Sequence, residues 1–162
     1  MPDINIKRIL IFVFCILFCE LAGILGSFFT TPAIPTWYAT INKPAFTPPN
    51  WLFAPVWIAL FALMGVALYL ILTAEKSTAY RKHAIFFFMV QLILNIAWSA
   101  LFFGMQNPFC AFLEIIALWL AIAITMCLFW RVHKKATLLL SPYILWVSFA
   151  AILNFSVWRL NL

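Results

Sequence analysis

The sequence WYATINKPAFTPPNWLFAPVW, residues 37–57, separates the first two long apolar runs of the chain. It contains three Trp, one Tyr, two Phe and four Pro residues. Proline fixes φ and removes a backbone donor, so Pro44, Pro48 and Pro49 cannot lie inside a regular helix without breaking it. The pattern predicts a stiff aromatic loop over about residues 30–50, at the edge of a membrane. Such a loop suits the capture of a flat hydrophobic ligand.

The composition around this loop indicates an integral membrane protein. Hydrophobic residues make up 67% of the 162 residues and charged residues 9%, which leaves too little polar surface to cover a soluble domain. Five apolar runs each approach the ~20 residues that cross about 30 Å of hydrocarbon as a helix, and none alternates like a barrel strand. We predict an all-α bundle, a single domain over 1–162, with transmembrane helices at about 9–29, 51–73, 84–104, 109–130 and 136–158.

Lysine and arginine residues are distributed unequally between the two sides of the predicted bundle. Lys43 and Arg159 lie on the side of the aromatic loop, and the other eight lie on the opposite side. These eight are Lys7, Arg8, Lys76, Arg81, Lys82, Arg131, Lys134 and Lys135. The positive-inside rule therefore predicts a cytoplasmic amino terminus and an aromatic loop outside. We expect the bacterial cell membrane, or the mitochondrial outer membrane if the host is eukaryotic.

The net charge of +6 is explained by the same distribution. Cations in juxtamembrane loops meet anionic lipid headgroups, so the bilayer is the expected partner and no nucleic acid is needed. The four cysteines lie within predicted helices and form no C-x-x-C pair, while His83 and His133 lie in loops. No metal site is predicted from these residues, and a haem held in the membrane would lack an axial histidine.

Polar and aromatic side chains recur on one face of three of the predicted helices. Because polar groups are costly in lipid, they should face the bundle interior or a cavity. The three faces are Gln91, Asn95 and Ser99 with Trp98, then Trp57, Phe61 and Gly65, then Tyr143, Trp146, Ala150 and Asn154. At 1.5 Å per residue, Trp57 and Trp146 lie about 9 Å and about 15 Å from opposite faces, so both rings can reach one cavity. The polar stripe fits helix–helix hydrogen bonding equally well.

Glu20 and Glu114 are the two acids within the predicted helices. Intramembrane acids mark proton or substrate pathways, or serve as protonated hydrogen-bond donors inside the bundle. We keep both interpretations, and list Glu20 and Glu114 as candidate proton-linked residues.

Small residues four apart form a further pattern, at Ala22 and Gly26, at Gly23 and Ser27, and at Ala100 and Gly104. Such pairs let helices approach closely. They fit packing within the bundle or a homodimer face, and we favour the homodimer.

The ordered motifs of the chain resemble those of the TspO/translocator protein family, also called the tryptophan-rich sensory protein or peripheral benzodiazepine receptor family. The resemblance covers residues 21–161 and is carried by LAGILGSFFT (21–30), KPAFTPP (43–49), PVW (55–57), QLILNIAWSALFFG (91–104) and SPYILWVSFAAILNFSVWRLN (141–161). It implies a five-helix bundle, often dimeric, in which the first long loop covers a pocket. The family's pocket residues map onto Trp37, Tyr38, Pro48, Trp57, Phe61, Asn95, Trp98, Trp146 and Ala150.

The resemblance also implies ligands. Family members bind porphyrins such as protoporphyrin IX, haem, and benzodiazepine-type drugs, and animal members bind cholesterol. Some bacterial members are reported to break down protoporphyrin IX in light and oxygen, and the tryptophans tied to that activity match Trp57 and Trp146. The family's sterol motif is altered in this chain, because Phe155 replaces its tyrosine. No resident cofactor is required, since a tetrapyrrole would be the ligand.

Three hypotheses follow. The leading one is a membrane receptor or regulator that binds tetrapyrroles against Trp57 and Trp146, with Lys43 near a propionate and slow photo-oxidative breakdown as an associated activity. The alternative is a transporter of porphyrin, lipid, sterol or another hydrophobic molecule, coupled to protons through Glu20 and Glu114. The third is a structural scaffold.

Overall fold

A computed structural model describes residues 6–75 and 79–162, and within them the chain is helical without strands. Five segments are long and apolar enough to cross a membrane, which confirms the predicted five-helix bundle. The helices are α1 (Ile6–Ala33), α2 (Trp37–Thr40), α3 (Asn50–Leu72), α4 (Tyr80–Ser99), α5 (Pro108–Val132), α6 (Lys134–Leu139) and α7 (Ser141–Leu160). Lys76, counted above for the orientation, lies outside the described residues.

The first helix is longer than the predicted 9–29. It continues to Ala33, with Pro32 inside its last turn, where the missing N–H removes one hydrogen bond and leaves the rest of the helix intact. The hydroxyl of Thr36 donates to the carbonyl of Pro32 at 2.8 Å, which satisfies one of the free carbonyls at this end. The connection to α3 therefore begins later than the predicted loop 30–50, and it contains α2.

The third and fifth spans deviate from simple helices. Between α4 and α5 the chain forms a π-helical turn, Ala100–Gly104, closed by Met105 N–H donating to Ala100 O at 2.7 Å. The predicted helix 136–158 is divided into α6 and α7. Its division falls at Leu140, just before Pro142 in the first turn of α7, where proline is tolerated because that N–H has no intrahelical partner.

Small residues let α1 approach its neighbours inside the bundle. A Cβ placed on Gly65 of α3 would lie 2.6 Å from Ile16 Cα. One on Gly23 would lie 2.6 Å from the ring of Phe61, and one on Gly26 would lie 3.1 Å from Ser99 Oγ. The predicted small-residue pattern on α1 thus serves packing within this chain, and a homodimer stays a prediction.

The two ends of the bundle differ in how closely they are packed. We call the end that carries residues 34–49 the loop end, and the other the far end. Large side chains fill the far end, where the rings of Phe88 and Phe129 stack at 5.7 Å and Met64 and Ile71 are fully buried. At the loop end the same helices enclose a cavity.

Candidate ligand-binding cavity

A cavity of about 370 Å³ lies at the loop end, between α1, α3, α4 and α7. Its volume falls within the ~300–1,000 Å³ of small-molecule sites. Along α1 it extends from Glu20 to Thr31, eleven residues or about 16 Å of helix. The lining is mainly apolar and aromatic: Gly23, Ile24, Gly26, Ile34, Tyr38, Phe53, Ala54, Trp57, Ile58, Phe61, Trp98, Phe102, Phe103, Trp146, Ala150, Leu153 and Val157, with Glu20, Ser27, Thr30, Thr31, Asn50, Asn95, Ser99 and Asn154 as polar members.

Two tryptophans stand on neighbouring walls of this cavity. Trp57 of α3 stacks on Phe61, one turn further along the helix, with ring centroids 5.5 Å apart and planes at 29°. Trp146 of α7 meets Phe53 edge-to-face at 6.0 Å. Each indole is therefore backed by a second ring from α3, an arrangement that limits its movement and leaves aromatic surface for a flat ligand.

A hydrogen-bonded group lies behind the wall formed by α4 and α7. The hydroxyl of Tyr143 donates to Gln91 Oε1 at 2.8 Å and accepts from Asn95 Nδ2 at 3.1 Å. All three side chains are buried. Since water cannot replace these bonds in the bundle core, they fix the register of α7 against α4, and with it the height of Trp146.

A second polar chain orients Trp98. Its indole N–H donates to Asn154 Oδ1 at 3.0 Å, and Asn154 Nδ2 donates to Pro108 O at 2.8 Å. The Trp98 ring also stacks on Phe102, with centroids 5.1 Å apart and planes at 19°. Asn154 thereby joins α4, α5 and α7 at the loop end of the cavity.

Several polar groups on the cavity wall have no such partner, and three of them lie on the two tryptophans or on α1. Within the described part of the chain, the indole N–H groups of Trp57 and Trp146 and the carboxyl of Glu20 make no hydrogen bond. A polar group in an apolar cavity costs free energy until something pairs with it. Two indole donors and one acid are therefore among the groups left for a bound molecule.

The linker between α1 and α3 covers the loop end of the cavity. Tyr38 is 5% exposed, and burial raises the pKa of its phenol. The ammonium of Lys43 donates to Tyr38 O at 2.6 Å and lies 4.7 Å from the centre of the Tyr38 ring. Asn42 and Asn161 exchange two hydrogen bonds, each 2.9 Å long, which tie the linker to the end of α7.

Comparison with known proteins gives this cavity a family context. The sequence model of the TspO/MBR family matches residues 15–159, nearly the whole chain. The chain belongs to the TspO/MBR family. It is similar to the tryptophan-rich protein TspO of Chlorobaculum tepidum, 45% identical over 96% of this chain and 98% of the relative. The TspO protein of Archaeoglobus fulgidus is 48% identical over 86% and 89%, and the human translocator protein 33% identical over 88% and 85%.

Membership of the TspO/MBR family supports a role as a membrane receptor or regulator, and the five spanning helices agree with a multi-pass integral membrane protein. Bacterial and archaeal relatives match this chain in sequence over most of their length.

The structure brings most of the predicted site residues together. Seven of the nine predicted pocket residues line the cavity: Tyr38, Trp57, Phe61, Asn95, Trp98, Trp146 and Ala150. Trp37 and Pro48 are not among its lining residues. Trp37 instead packs edge-to-face on Phe102 at 5.5 Å, so it supports the wall from behind. Whether these residues bind a ligand stays a prediction.

The two predicted intramembrane acids occupy different environments. Glu20 lines the cavity. Both carboxyl oxygens of Glu114 are buried and, among the described residues, have no hydrogen-bond partner. They lie on α5, outside the cavity lining, so the structure gives the two acids no shared site.

Two polar residues make contacts within the chain that their spacing does not specify. Asn95 could hold an indole N–H or a ligand carbonyl, and in the structure it donates to Tyr143, while Asn154 accepts from the indole of Trp98. Lys43 was expected near a ligand carboxylate, but its ammonium is engaged by the carbonyls of Tyr38 and Ile41. The sequence contains no signal for either choice, because both depend on the relative heights of neighbouring elements.

Proposed function

We propose that this protein is a membrane receptor or regulator that binds tetrapyrroles, such as protoporphyrin IX or haem, and benzodiazepine-type molecules in the cavity at its loop end. One observation carries the proposal: an aromatic cavity of about 370 Å³ in which the N–H groups of Trp57 and Trp146 lack partners among the described residues. A flat π-system offers ring faces to the indoles and heteroatoms to their N–H groups.

The chemistry of a porphyrin fits this wall. Offset contacts between aromatic rings contribute roughly 0.5–1.5 kcal/mol each beyond area burial, so two indoles contribute about 1–3 kcal/mol. The apolar lining suits the macrocycle and its vinyl groups, while the propionates are best placed toward the loop end beside Tyr38, the end nearest to water and headgroups. Protoporphyrin IX contains no metal, so it requires no axial ligand from the protein.

Light-dependent breakdown of the bound porphyrin is the associated activity that we propose. The excited porphyrin and oxygen supply that chemistry. Trp57 and Trp146 line the cavity, and their N–H groups have no acceptor among the described residues. We therefore propose them as the side chains that donate an electron to an excited ligand. No acid–base role is required of them.

A binding titration tests the proposal. Protoporphyrin IX is titrated in the dark with purified protein, and binding is followed by the shift of the porphyrin absorption band, which does not depend on which tryptophans remain. We expect saturable binding, and an affinity about tenfold lower in Trp57→Phe/Trp146→Phe, equal to about 1.4 kcal/mol. The matched control is Trp119→Phe/Trp130→Phe, because both of these rings are exposed away from the cavity.

The outcomes of this titration are distinct. Equal affinity in the two double variants would contradict the pocket assignment, and no saturable binding would contradict tetrapyrrole recognition itself. Illumination in air then tests breakdown: the bound porphyrin band should decay faster in wild type than in Trp57→Phe/Trp146→Phe. An equal decay rate would leave binding in place and remove the photochemical role of the two tryptophans.

Transport is the second candidate, and the position of Glu20 on the cavity wall favours it. An acid in a ligand cavity can couple ligand movement to a proton. In this case porphyrin flux in proteoliposomes should respond to a pH gradient, and Glu20→Gln should abolish that response. Glu114→Gln is the comparison, because Glu114 lies outside the cavity lining. Flux that ignores the pH gradient in wild type would contradict proton coupling.

A further inference from the structure

One side of the cavity wall is exposed on the outer surface of the bundle. Six residues of α1 and α3 line the cavity and are at the same time exposed: Ile24, Ser27 and Thr31 on α1, and Asn50, Ala54 and Ile58 on α3. The exposed fractions are 54% for Ile24 and 60% for Ile58. These residues separate the cavity from the outer surface by a single layer of side chains, and we call this part of the wall the α1–α3 slot.

The slot lies toward the loop end, beyond the closest contacts between α1 and α3. At the far end their backbones are in close contact, since a Cβ on Gly65 would lie 2.6 Å from Ile16 Cα. Further along α1 toward the loop end, a Cβ on Gly23 would lie 2.6 Å from the ring of Phe61. Beyond that level the facing residues of the two helices line the cavity. The slot therefore begins where the glycine contacts end.

The slot lies on the outer surface of the part of the bundle that is long and apolar enough to cross a membrane. It lies within two spanning helices, and from Ile24 to Thr31 it extends over seven residues, about 10 Å of helix. The hydroxyl of Ser27 donates to Ile24 O at 2.7 Å, so it presents no unpaired donor to lipid. Ile24, Ala54 and Ile58 make this part of the rim apolar, while Thr31 and Asn50 lie at its loop end. The apolar part is compatible with the passage of an apolar molecule.

By contrast, the linker between α1 and α3 covers the cavity at its loop end. Tyr38 is buried there, and the ammonium of Lys43 binds its carbonyl. The reciprocal pair of Asn42 and Asn161 ties the same linker to α7. A ligand that entered from water would have to break these contacts, whereas one that entered from the bilayer would not.

We propose that the α1–α3 slot is the route by which a flat, lipid-dissolved aromatic ligand passes edge-on between the bilayer and the cavity. The identity of the ligand rests on the proposed function, but the existence of the route does not. The linker then serves as a fixed cover, and exchange depends on the width of the slot.

The rates of ligand exchange test this route. Ser27→Phe/Ala54→Phe places two rings in the slot, and Leu25→Phe is the matched control, because Leu25 is exposed on α1 but does not line the cavity. Asn161→Ala loosens the cover. With protoporphyrin IX supplied from phosphatidylcholine vesicles in stopped flow, we expect the double variant to slow both association and dissociation at least tenfold. A ring that only weakened binding inside the cavity would instead speed dissociation. Leu25→Phe and Asn161→Ala should leave both rates within twofold. Unchanged rates in the double variant, or tenfold faster association in Asn161→Ala, would overturn the proposal.

A second measurement decides the route without any porphyrin. A small bilayer-soluble photolabel, 3-trifluoromethyl-3-phenyldiazirine, is activated in proteoliposomes, and adducts on α7 are mapped by mass spectrometry. Ala150 lines the cavity, while Leu145 is 69% exposed on the outside and serves as the internal reference. We expect Ala150 labelling in wild type that falls at least fivefold relative to Leu145 in Ser27→Phe/Ala54→Phe. Absent Ala150 labelling in wild type, or equal labelling in the double variant, would refute the slot, whereas failed porphyrin binding would refute only the proposed function.

Discussion

Gly65→Ala is expected to destabilise the bundle, because α1 and α3 are in backbone contact at Gly65. The added Cβ would lie 2.6 Å from Ile16 Cα and 2.9 Å from Cys15 O. Ordinary contacts between carbon atoms are 3.5–4.0 Å, so the two helices must move apart by about 1 Å. Neither contact can be relieved by rotation of a side chain, since both atoms belong to the backbone of α1.

The magnitude follows from two opposing effects. Overpacking of this kind costs typically about 1–3 kcal/mol, and the rigid partners place Gly65→Ala near the upper end. Alanine regains about 1 kcal/mol through its higher helix propensity. The expected net loss is about 1–2 kcal/mol, or about 2–8 °C in Tm for a chain of this size.

Thermal unfolding in one fixed detergent, followed by tryptophan fluorescence, measures the effect. Gly104→Ala is the matched control, because its Cβ would meet the ring of Phe29 at 2.9 Å, and that partly exposed ring can rotate away. We expect the control to remain within about 1 °C, corresponding to less than ~0.5 kcal/mol. A Gly65→Ala protein as stable as wild type would refute the close α1–α3 approach, and with it the level at which the slot begins.

Three further predictions concern single contacts, each read by thermal unfolding. Tyr143→Phe removes a buried hydroxyl that bonds two amides and should lower the free energy of unfolding by about 0.6–1.7 kcal/mol. Tyr69→Phe is the control, because it loses no side-chain hydrogen bond among the described residues, and it should cost under ~0.5 kcal/mol. Equal effects would contradict the hydrogen-bonded network around Tyr143. Asn107→Ala removes the N-cap of α5, in which Asn107 Oδ1 accepts from Cys110 N–H at 3.0 Å. It should lower the free energy of unfolding by about 0.5–2 kcal/mol. An unchanged Tm would show that the cap is dispensable. Burial raises the pKa of Tyr38 above its ordinary value of 10.0. The stabilising effect of the neutral phenol is therefore full below pH ~10 and is lost as the pH rises through the raised pKa. The Tm of Tyr38→Phe should fall less between pH 9 and 11 than that of wild type, and an equal fall would contradict this assignment.

The bundle and most of the cavity could be predicted from residue patterns. Apolar length defines a spanning helix, and one-sided spacing identifies the faces that carry Trp57, Asn95 and Trp146. These are local properties of a helix in lipid. They do not depend on how one helix is placed against another, and for that reason the sequence contains them.

The rest depends on relative placement. Whether Asn95 or Asn154 accepts from the Trp98 indole is set by the relative heights of α4 and α7, which no spacing within a single helix encodes. The close approach of α1 and α3 depends on where Gly23 and Gly65 lie opposite their partners. The π-helical turn at Ala100–Gly104 likewise follows from how the chain turns into α5, and no residue type marks it.

We propose that the cavity holds a flat aromatic ligand against Trp57 and Trp146. A crystal structure of the protein with protoporphyrin IX, grown in the dark, tests it most directly. We predict porphyrin density between α1, α3, α4 and α7, with the macrocycle in contact with both indoles and its propionates toward Tyr38. Porphyrin density on the lipid-facing surface alone, with the cavity lacking it, would contradict the claim.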